Sequence, residues 1–193
     1  IFGDHMKGFA QSGPAESRHI NRWLAGNCFG DFYTRTGLDY KDRKMITFCF
    51  LYAQGGCEPQ LSAHTAANMR LGNDKAFLIK VISNCVPFMG YPRTLNALRI
   101  INEEAASLIN KTKRSGHKVC AVGVTVIRAL ETYVTTTKEV RPMDTWTNKF
   151  IFPPYEFSIP DAIVSNLHLP ESTMLMTVAA FGGYEKVMNA YKA

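Results

Sequence analysis

The sequence has no long hydrophobic run and no apolar leader. No stretch of its 193 residues reaches the roughly 18 consecutive apolar residues of a membrane-spanning helix. The start of the chain also lacks the apolar core of a signal peptide, so we expect a cytoplasmic protein without membrane contact. Hydrophobic residues make up 46% of the chain, which is enough to bury a core in a globular domain.

The cysteines are odd in number and scattered along the chain. The five cysteines lie mostly inside apolar runs, and they are Cys28, Cys49, Cys57, Cys85 and Cys120. An odd number at irregular intervals is typical of reduced thiols rather than of a disulfide framework. The spacing does not match that of a zinc site, so we expect no metal and no cofactor.

Aromatic residues are missing from the one dense basic cluster. The net charge is +6, and this cluster consists of Lys111, Lys113, Arg114, His117 and Lys118. Without interleaved aromatics or a nucleic-acid motif, such a run is typical of a solvated loop. We therefore expect no nucleic-acid partner. The positive net charge is as compatible with a small anionic substrate as with a nucleic acid.

Periodic apolar residues predict a series of helices in the first part of the chain. Asp39 is an expected N-cap, Gly72 is an expected helix stop, and Asn73 or Asp74 is the expected N-cap of the next helix. Pro87 and the turn at residues 90–92 are expected to interrupt that helix. The predicted helices span residues 15–33, 40–54, 59–71, 74–86 and 92–110.

The second part of the chain is less regular. The valine-rich stretch 118–133 is compatible with a strand or a helix, and we favour a helix. Residues 141–170 contain five prolines among aromatic residues, which predicts an ordered, extended connection without regular elements. Residues 171–192 are predicted to be helical, with a bend at the glycine pair 182–183. The ungapped similarity of residues 181–192 to residues 88–99 suggests a decayed second copy of one unit.

The chemistry-bearing stretch is Gly55–His64. The glycine pair and Pro59 predict a turn that opens a helix. Cys57 and Glu58 then lie at the helix N-terminus, where unpaired amides favour an anion such as a thiolate. His64 follows two helical turns after Cys57 on roughly the same face.

The run from Leu38 to Glu103 resembles the carboxymuconolactone decarboxylase and alkylhydroperoxidase-D family. The similarity lies in the segments 38–43, 55–64, 66–72 and 87–98, about a third of the chain. It implies an all-α fold, an antiparallel helical bundle of the alkylhydroperoxidase-D type with a proline- and aromatic-rich C-terminal extension. It also implies assembly into trimers or hexamers. We expect a flexible arm at 1–14, the helical domain at 15–110 and the extension at 111–193.

The resemblance leaves two kinds of chemistry open. The peroxidase branch uses two cysteines three apart; Cys57 matches the first, but Gln60 stands in place of the second. The decarboxylase branch needs a proton donor and a cation for the anionic substrate. We assign the proton donor to His64, whose ordinary pKa lies near neutrality, and the carboxylate contact to Arg43 or Lys44.

The leading hypothesis is thus a cofactor-free lyase acting on a small carboxylated lactone or similar anion. The predicted catalytic residues are His64, Cys57 and Glu58, and the predicted substrate-binding residues are Arg43 and Lys44. The alternatives are a thiol-dependent peroxidase centred on Cys57 and a non-catalytic oligomeric scaffold.

Overall fold

The structure, a computed structural model, describes residues 6–142 and 145–192. Parts of the predicted arm and of the predicted C-terminal extension, residues 1–5, 143–144 and 193, lie outside the described residues. The chain divides into two compact units, Ile1–Glu104 and Ala105–Ala193. Helix α5 begins in the first unit and ends in the second, and each unit is described by itself below.

The first unit consists of helices. A short 3₁₀ turn, Phe9–Gln11, precedes α1, and a π-helical segment, Leu24–Phe32, follows it. The helix predicted at 15–33 is found as one continuous helical run that begins at Arg18 and changes from α-helical to π-helical at Leu24, in the half that contains Gly26 and Gly30. The helices are α1 (Arg18–Trp23), α2 (Tyr40–Gln54), α3 (Glu58–Arg70), α4 (Lys75–Met89) and α5 (Tyr91–Arg114).

Local capping sets the starts of two of these helices. The Asp39 carboxylate accepts a hydrogen bond of 2.8 Å from the Asp42 amide. Helix α2 begins at Tyr40, directly after Asp39. Asp74 caps α4 in the same way, at 2.7 Å from the Phe77 amide. These N-caps confirm the sequence prediction because they satisfy amides that have no partner inside the helix.

Of the two breaks predicted for α4, the one at the Gly90 turn is confirmed and the one at Pro87 is wrong. The helix continues to Met89 and stops at Gly90, whose φ of 76° is a conformation that glycine adopts without strain. Proline removes one backbone hydrogen bond. The buried side chains Leu78 and Ile82 hold the rest of α4 in the core, so tertiary packing outweighs this local loss.

The core of the first unit is formed by α2 to α5. Its buried residues are Phe48, Tyr52, Leu61, Leu78, Ile82, Ala97, Ile100 and Ile101. The first unit also buries polar side chains. Asn68, fully buried, donates to the backbone oxygens of Lys44 at 3.1 Å and His64 at 2.8 Å, and thereby joins α2 to α3.

The second unit contains a small parallel sheet, which corrects the all-α prediction. Strand β1 (Cys120–Val122) pairs with β2 (Ala162–Val164), and Ala121 lies opposite Ile163. The described chain is mostly helical, but this sheet lies where we predicted a helix and a connection without regular elements. The two strands are about 40 residues apart, so the pairing depends on long-range contacts that a local pattern does not encode.

Three helices complete the described part of the second unit, one between β1 and β2 and two after β2. They are α6 (Val124–Thr132), α7 (Thr173–Gly182) and α8 (Tyr184–Lys192). The break between α7 and α8 confirms the predicted bend at the glycine pair. The proline- and aromatic-rich connection is packed into this unit, because Ile151 and Ile159 are buried in its core with Ile127 and Val140. The suggested origin of residues 181–192 as a second copy stays a prediction.

Candidate functional site

Arg43 is held by the loop before its own helix. Its guanidinium donates to the carbonyl oxygens of Phe32 at 2.8 Å, Leu38 at 3.0 Å and Thr36 at 3.1 Å, and it also bonds that of Arg35. These bonds tie the loop of residues 32–38 to the start of α2. The guanidinium that we expected to hold a substrate carboxylate therefore binds backbone carbonyls instead.

Lys44 is fully buried, with no exposed surface. Its ammonium nitrogen donates to the hydroxyl of Tyr33 at 3.2 Å and lies 4.5 Å from the centre of that ring. Burial lowers the pKa of Lys44 to about 7, an effect that the nearby Cys28 opposes and Arg70 reinforces. The side chain predicted to contact substrate thus lies inside the first unit.

His64 is half-buried on α3. Burial, and then the positive charge of Lys44, lower the pKa of His64 to about 4. The imidazole is consequently neutral at pH 7. The proton-donor role that we assigned to His64 from the ordinary histidine pKa is not supported by this environment.

Cys57 and Glu58 do come together, at a cavity of about 140 Å³ where α3 begins. The thiol of Cys57 donates to the Leu51 carbonyl at 3.3 Å. Arg93 also lines this cavity and bonds the carbonyl of Ala53. His64 is not among the described residues that line the cavity.

Sequence reasoning missed Arg93 as a lining residue of this cavity. It lies in the first turn of α5, and it is one of the residues on which the family resemblance depends. The cations predicted to bind the substrate both lie near the start of α2. The catalytic roles of Cys57, Glu58 and His64 stay predictions.

The second unit has a larger cavity, of about 300 Å³. Three parts of the chain form it: the start of α6, the connection near residue 150 and the start of α7. Gly123, with a φ of 97°, lets the chain turn from β1 directly into α6 at this place. The lining residues are Val124, Thr125, Arg128, Asn148, Lys149, Phe150, Ile151, Thr173, Met174 and Thr177.

Two basic side chains line this larger cavity. Arg128 donates through Nε to the Lys149 carbonyl oxygen at 3.2 Å, which fixes the guanidinium beside the connection. Lys149 donates through Nζ to the backbone oxygen of Glu131 at 2.8 Å and lies 5.5 Å from the ring centre of Tyr155. Arg128 brings a positive charge to the cavity, which favours an anionic ligand, whereas the Lys149 ammonium is bonded to the backbone of Glu131.

Exposed aromatic rings flank the same basic residues. Phe150 and Phe152 are each about half exposed, and their ring centroids lie 5.5 Å apart. Trp146, on the same connection, is 99% exposed. Aromatic and basic residues are thus interleaved at 146–152, in the segment predicted as a connection, and not in the basic cluster at 111–118.

No described helix is both long enough and apolar enough to cross a membrane. Across residues 6–142 and 145–192, no group of three or more histidine, cysteine or acidic side chains is arranged to hold a metal ion.

Comparison with known families divides the chain near residue 100. A family model described as queuosine biosynthesis protein matches residues 96–193, just over half of the chain. The chain belongs to the queuosine biosynthesis protein family. A second model, that of the carboxymuconolactone decarboxylase family, matches residues 19–103. The resemblance found in the sequence is therefore confirmed for the first part of this family member and does not extend to its second part.

Curated relatives of this queuosine biosynthesis family member carry one name, S-adenosylmethionine:tRNA ribosyltransferase-isomerase. The protein from Bacteroides fragilis is 55% identical over 91 residues, which are 47% of this chain and 26% of the relative. That from Parabacteroides distasonis is 52% identical over 92 residues, 48% of this chain and 26% of the relative. The chain thus spans about a quarter of the length of the curated relatives it matches.

A solved structure is also similar to this family member. It is that of S-adenosylmethionine tRNA ribosyltransferase from Thermotoga maritima, and it is 40% identical to this chain. The similarity covers 47% of this chain and 31% of the other, with a TM-score of 0.41.

These relatives correct the predicted function and partners. The decarboxylase-like lyase and the thiol-dependent peroxidase are wrong, because relatives at 42–55% identity are named tRNA ribosyltransferase-isomerases. The non-catalytic scaffold has no support from relatives named as enzymes. The expectation of a small anionic substrate and no nucleic acid is also wrong, since those relatives are named for tRNA. The error arose because the chemistry implied by one half was applied to the whole family member.

Proposed function

We propose that this chain contributes to S-adenosylmethionine:tRNA ribosyltransferase-isomerase activity through residues 96–193. The observation that carries the proposal is the 55% identity to the Bacteroides fragilis enzyme over 91 residues. In this reaction, as the name describes it, S-adenosylmethionine provides a ribosyl group and tRNA receives it. The chain spans about a quarter of the enzyme, so the proposal concerns a contribution to the activity.

The charge of the chain supports an RNA substrate. The chain has a net charge of +6, to which residues 96–193 contribute 11 basic and 9 acidic side chains, and a positive charge favours association with a polyanion independently of nucleotide sequence. The larger cavity adds a local argument, because Arg128 brings positive charge to a concave surface of the second unit. Both features fit a tRNA partner better than a neutral ligand.

The proposal is tested by exchanging the matched segment between proteins. We would replace the corresponding segment of the Bacteroides fragilis enzyme with residues 96–193 and follow transfer of radiolabelled ribosyl from S-adenosylmethionine to tRNA. We expect the chimera to retain transfer within about tenfold of the parent rate, a loss of roughly 1.4 kcal/mol in transition-state stabilisation. The matched control is the same enzyme with the segment deleted, which should not transfer label.

The full chain provides an independent readout. Calorimetric titration with a tRNA transcript tests whether the chain binds the acceptor at all. A chimera that folds, as judged by circular dichroism, but transfers no label contradicts the proposed function. Absence of tRNA binding by the folded full chain at low salt contradicts it as well.

A further inference from the structure

We propose that the cavity of the second unit and the aromatic residues beside it bind one unpaired nucleotide of an RNA. In this arrangement Arg128 contacts the phosphate, and Phe150 and Phe152 stack on the base. The inference rests on the proposed function, because that function provides the RNA. It goes further by assigning the contact to particular side chains.

The guanidinium of Arg128 provides the first argument. Its Nε is bonded to the Lys149 carbonyl at 3.2 Å, whereas its two terminal nitrogens make no hydrogen bond to any described part of the chain. A guanidinium fixed at one nitrogen and open at the others matches the two oxygens of a phosphate. The side chain is thus oriented before any ligand arrives.

The surrounding charge supports an anion. No acidic side chain is among the described residues that line the cavity. The nearest carboxylate along α6, that of Glu131, is 1% exposed and accepts hydrogen bonds from the amides of Ser158 and Ile159. The positive charge of Arg128 is therefore not neutralised by a side chain in the described part of the cavity.

Short polar side chains add further donors around the cavity. Thr125, Asn148 and Thr173 are exposed at its rim, and none of them uses its side chain in a hydrogen bond within the described residues. Hydroxyl and amide groups of this kind commonly bind phosphate and ribose oxygens. The cavity volume of about 300 Å³ is at the small end of ligand pockets, which fits one nucleotide rather than a paired helix.

The aromatic rings indicate an unpaired base. Phe150 lines the cavity together with Arg128, and its ring centre is 5.5 Å from that of Phe152, so the two rings are neighbours. Trp146 extends the exposed aromatic surface along the same segment. Bases inside a duplex are covered by their neighbours, so stacking on such rings requires an unpaired nucleotide.

The test measures RNA binding by the full chain. A fluorescently labelled tRNA transcript is titrated by anisotropy between 50 and 300 mM salt, alongside a fully paired RNA duplex of similar length. The variants are Arg128→Ala, Arg128→Gln and Phe150→Leu. The matched controls are Lys186→Ala, which removes an exposed positive charge on α8, and Phe50→Leu, which removes an exposed ring on α2.

We expect Arg128→Ala to weaken tRNA binding about tenfold and to reduce the slope of log K against log salt by about 1. Arg128→Gln keeps a side-chain donor toward the Lys149 carbonyl but removes the charge, and it should weaken binding to a similar extent. A similar loss in both variants shows that the missing charge, and not a structural change, weakens binding. Phe150→Leu should weaken binding roughly tenfold without changing the salt slope, because it removes stacking and no charge. The two controls should stay within twofold of the unmodified chain.

The outcomes separate this inference from the proposed function. If the chain binds tRNA and both the Arg128 variants and Phe150→Leu bind as well as the unmodified chain, the nucleotide site is wrong and the proposed function stands. Equal affinity for the fully paired duplex also overturns the site. If the folded chain does not bind tRNA at low salt, the proposed function fails, and the inference fails with it.

Discussion

The carboxylate of Glu131 accepts a hydrogen bond of 3.0 Å from the backbone amide of Ile159 inside the second unit. The same oxygen accepts from the Ser158 amide at 2.9 Å, and the other oxygen accepts from the Tyr155 hydroxyl at 3.1 Å. Burial, and then the charge of Glu131, raise the pKa of Tyr155, so its hydroxyl stays protonated and donates. One buried carboxylate on α6 thereby orders the connection that leads to β2.

Replacing Glu131 with alanine should destabilise the second unit strongly. The change leaves two amides and one hydroxyl without their acceptor, at a cost of about 3 kcal/mol in free energy of unfolding. Glu131→Gln should cost less, because its amide oxygen still accepts. Hydrogen exchange followed by mass spectrometry on peptides containing Ser158 and Ile159 measures the effect. The exposed Glu156→Gln is the control, and equal protection in Glu131→Ala and Glu156→Gln would contradict this role.

Lys44 should make the stability of the first unit rise with pH. Its pKa is about 7 in the folded protein, against an ordinary value of 10.5, so the unfolded chain binds more protons between these values. The free energy of unfolding therefore increases above pH 7, by at most about 1.4 kcal/mol per pH unit. Cys28 and Cys49 change the free energy of unfolding in the opposite direction, because burial raises the pKa of both thiols. The increase from Lys44, between pH 7 and 9, begins at a lower pH than this decrease.

Urea unfolding of the full chain at pH 7, 8 and 9 measures this dependence. Lys44→Met, which keeps the length and removes the charge, should flatten the rise. Lys80→Met removes an exposed charge from α4 and should leave the slope unchanged. A slope that Lys44→Met does not alter would show that Lys44 stays charged in the folded protein.

The hydrogen bond between Tyr52 and Thr94 predicts an asymmetric pair of mutations. The two hydroxyl oxygens lie 2.6 Å apart, and Thr94 donates its own hydrogen to the Gly90 carbonyl at 2.8 Å. Tyr52 is therefore the donor to Thr94. Tyr52→Phe should cost about 1 kcal/mol, whereas Thr94→Val should cost about 2 kcal/mol because it leaves the buried tyrosine hydroxyl without an acceptor.

A double-mutant cycle in urea measures the coupling between these two side chains. We expect a coupling free energy of about 1 kcal/mol between Tyr52→Phe and Thr94→Val. Tyr91→Phe, which alters an exposed hydroxyl on α5, is the control and should be near neutral. Strictly additive effects of the two mutations would show that the short distance contributes nothing to stability.

The helices were predictable where local signals define them. Asp39 and Asp74 cap α2 and α4 through their own side chains, and α2 spans the predicted residues 40–54. The continuation of α4 through Pro87 was not predictable in this way, because it depends on buried contacts of Leu78 and Ile82. The strand pairing of Ala121 with Ile163 was missed for the same reason.

The candidate sites show the same division. Cys57 and Glu58 were placed together correctly, since adjacent residues at a helix start must share one edge. The rotation of α2 decides that Lys44 is buried and that Arg43 bonds the preceding loop, and rotation is not encoded in the sequence of that helix alone. Burial then sets the pKa of His64, which the ordinary value of a histidine does not predict.

By itself, the sequence determined most helix positions, the net positive charge and the family resemblance of the first part, because these follow from local pattern and residue identity. Only the tertiary structure decided which charged groups are buried and which chain segments form each cavity. Arg128, Lys149 and Thr173 come from three separate segments, and long-range packing in the second unit brings them to one cavity. Contacts of that kind arise from the whole fold, so no single segment of the sequence reveals them.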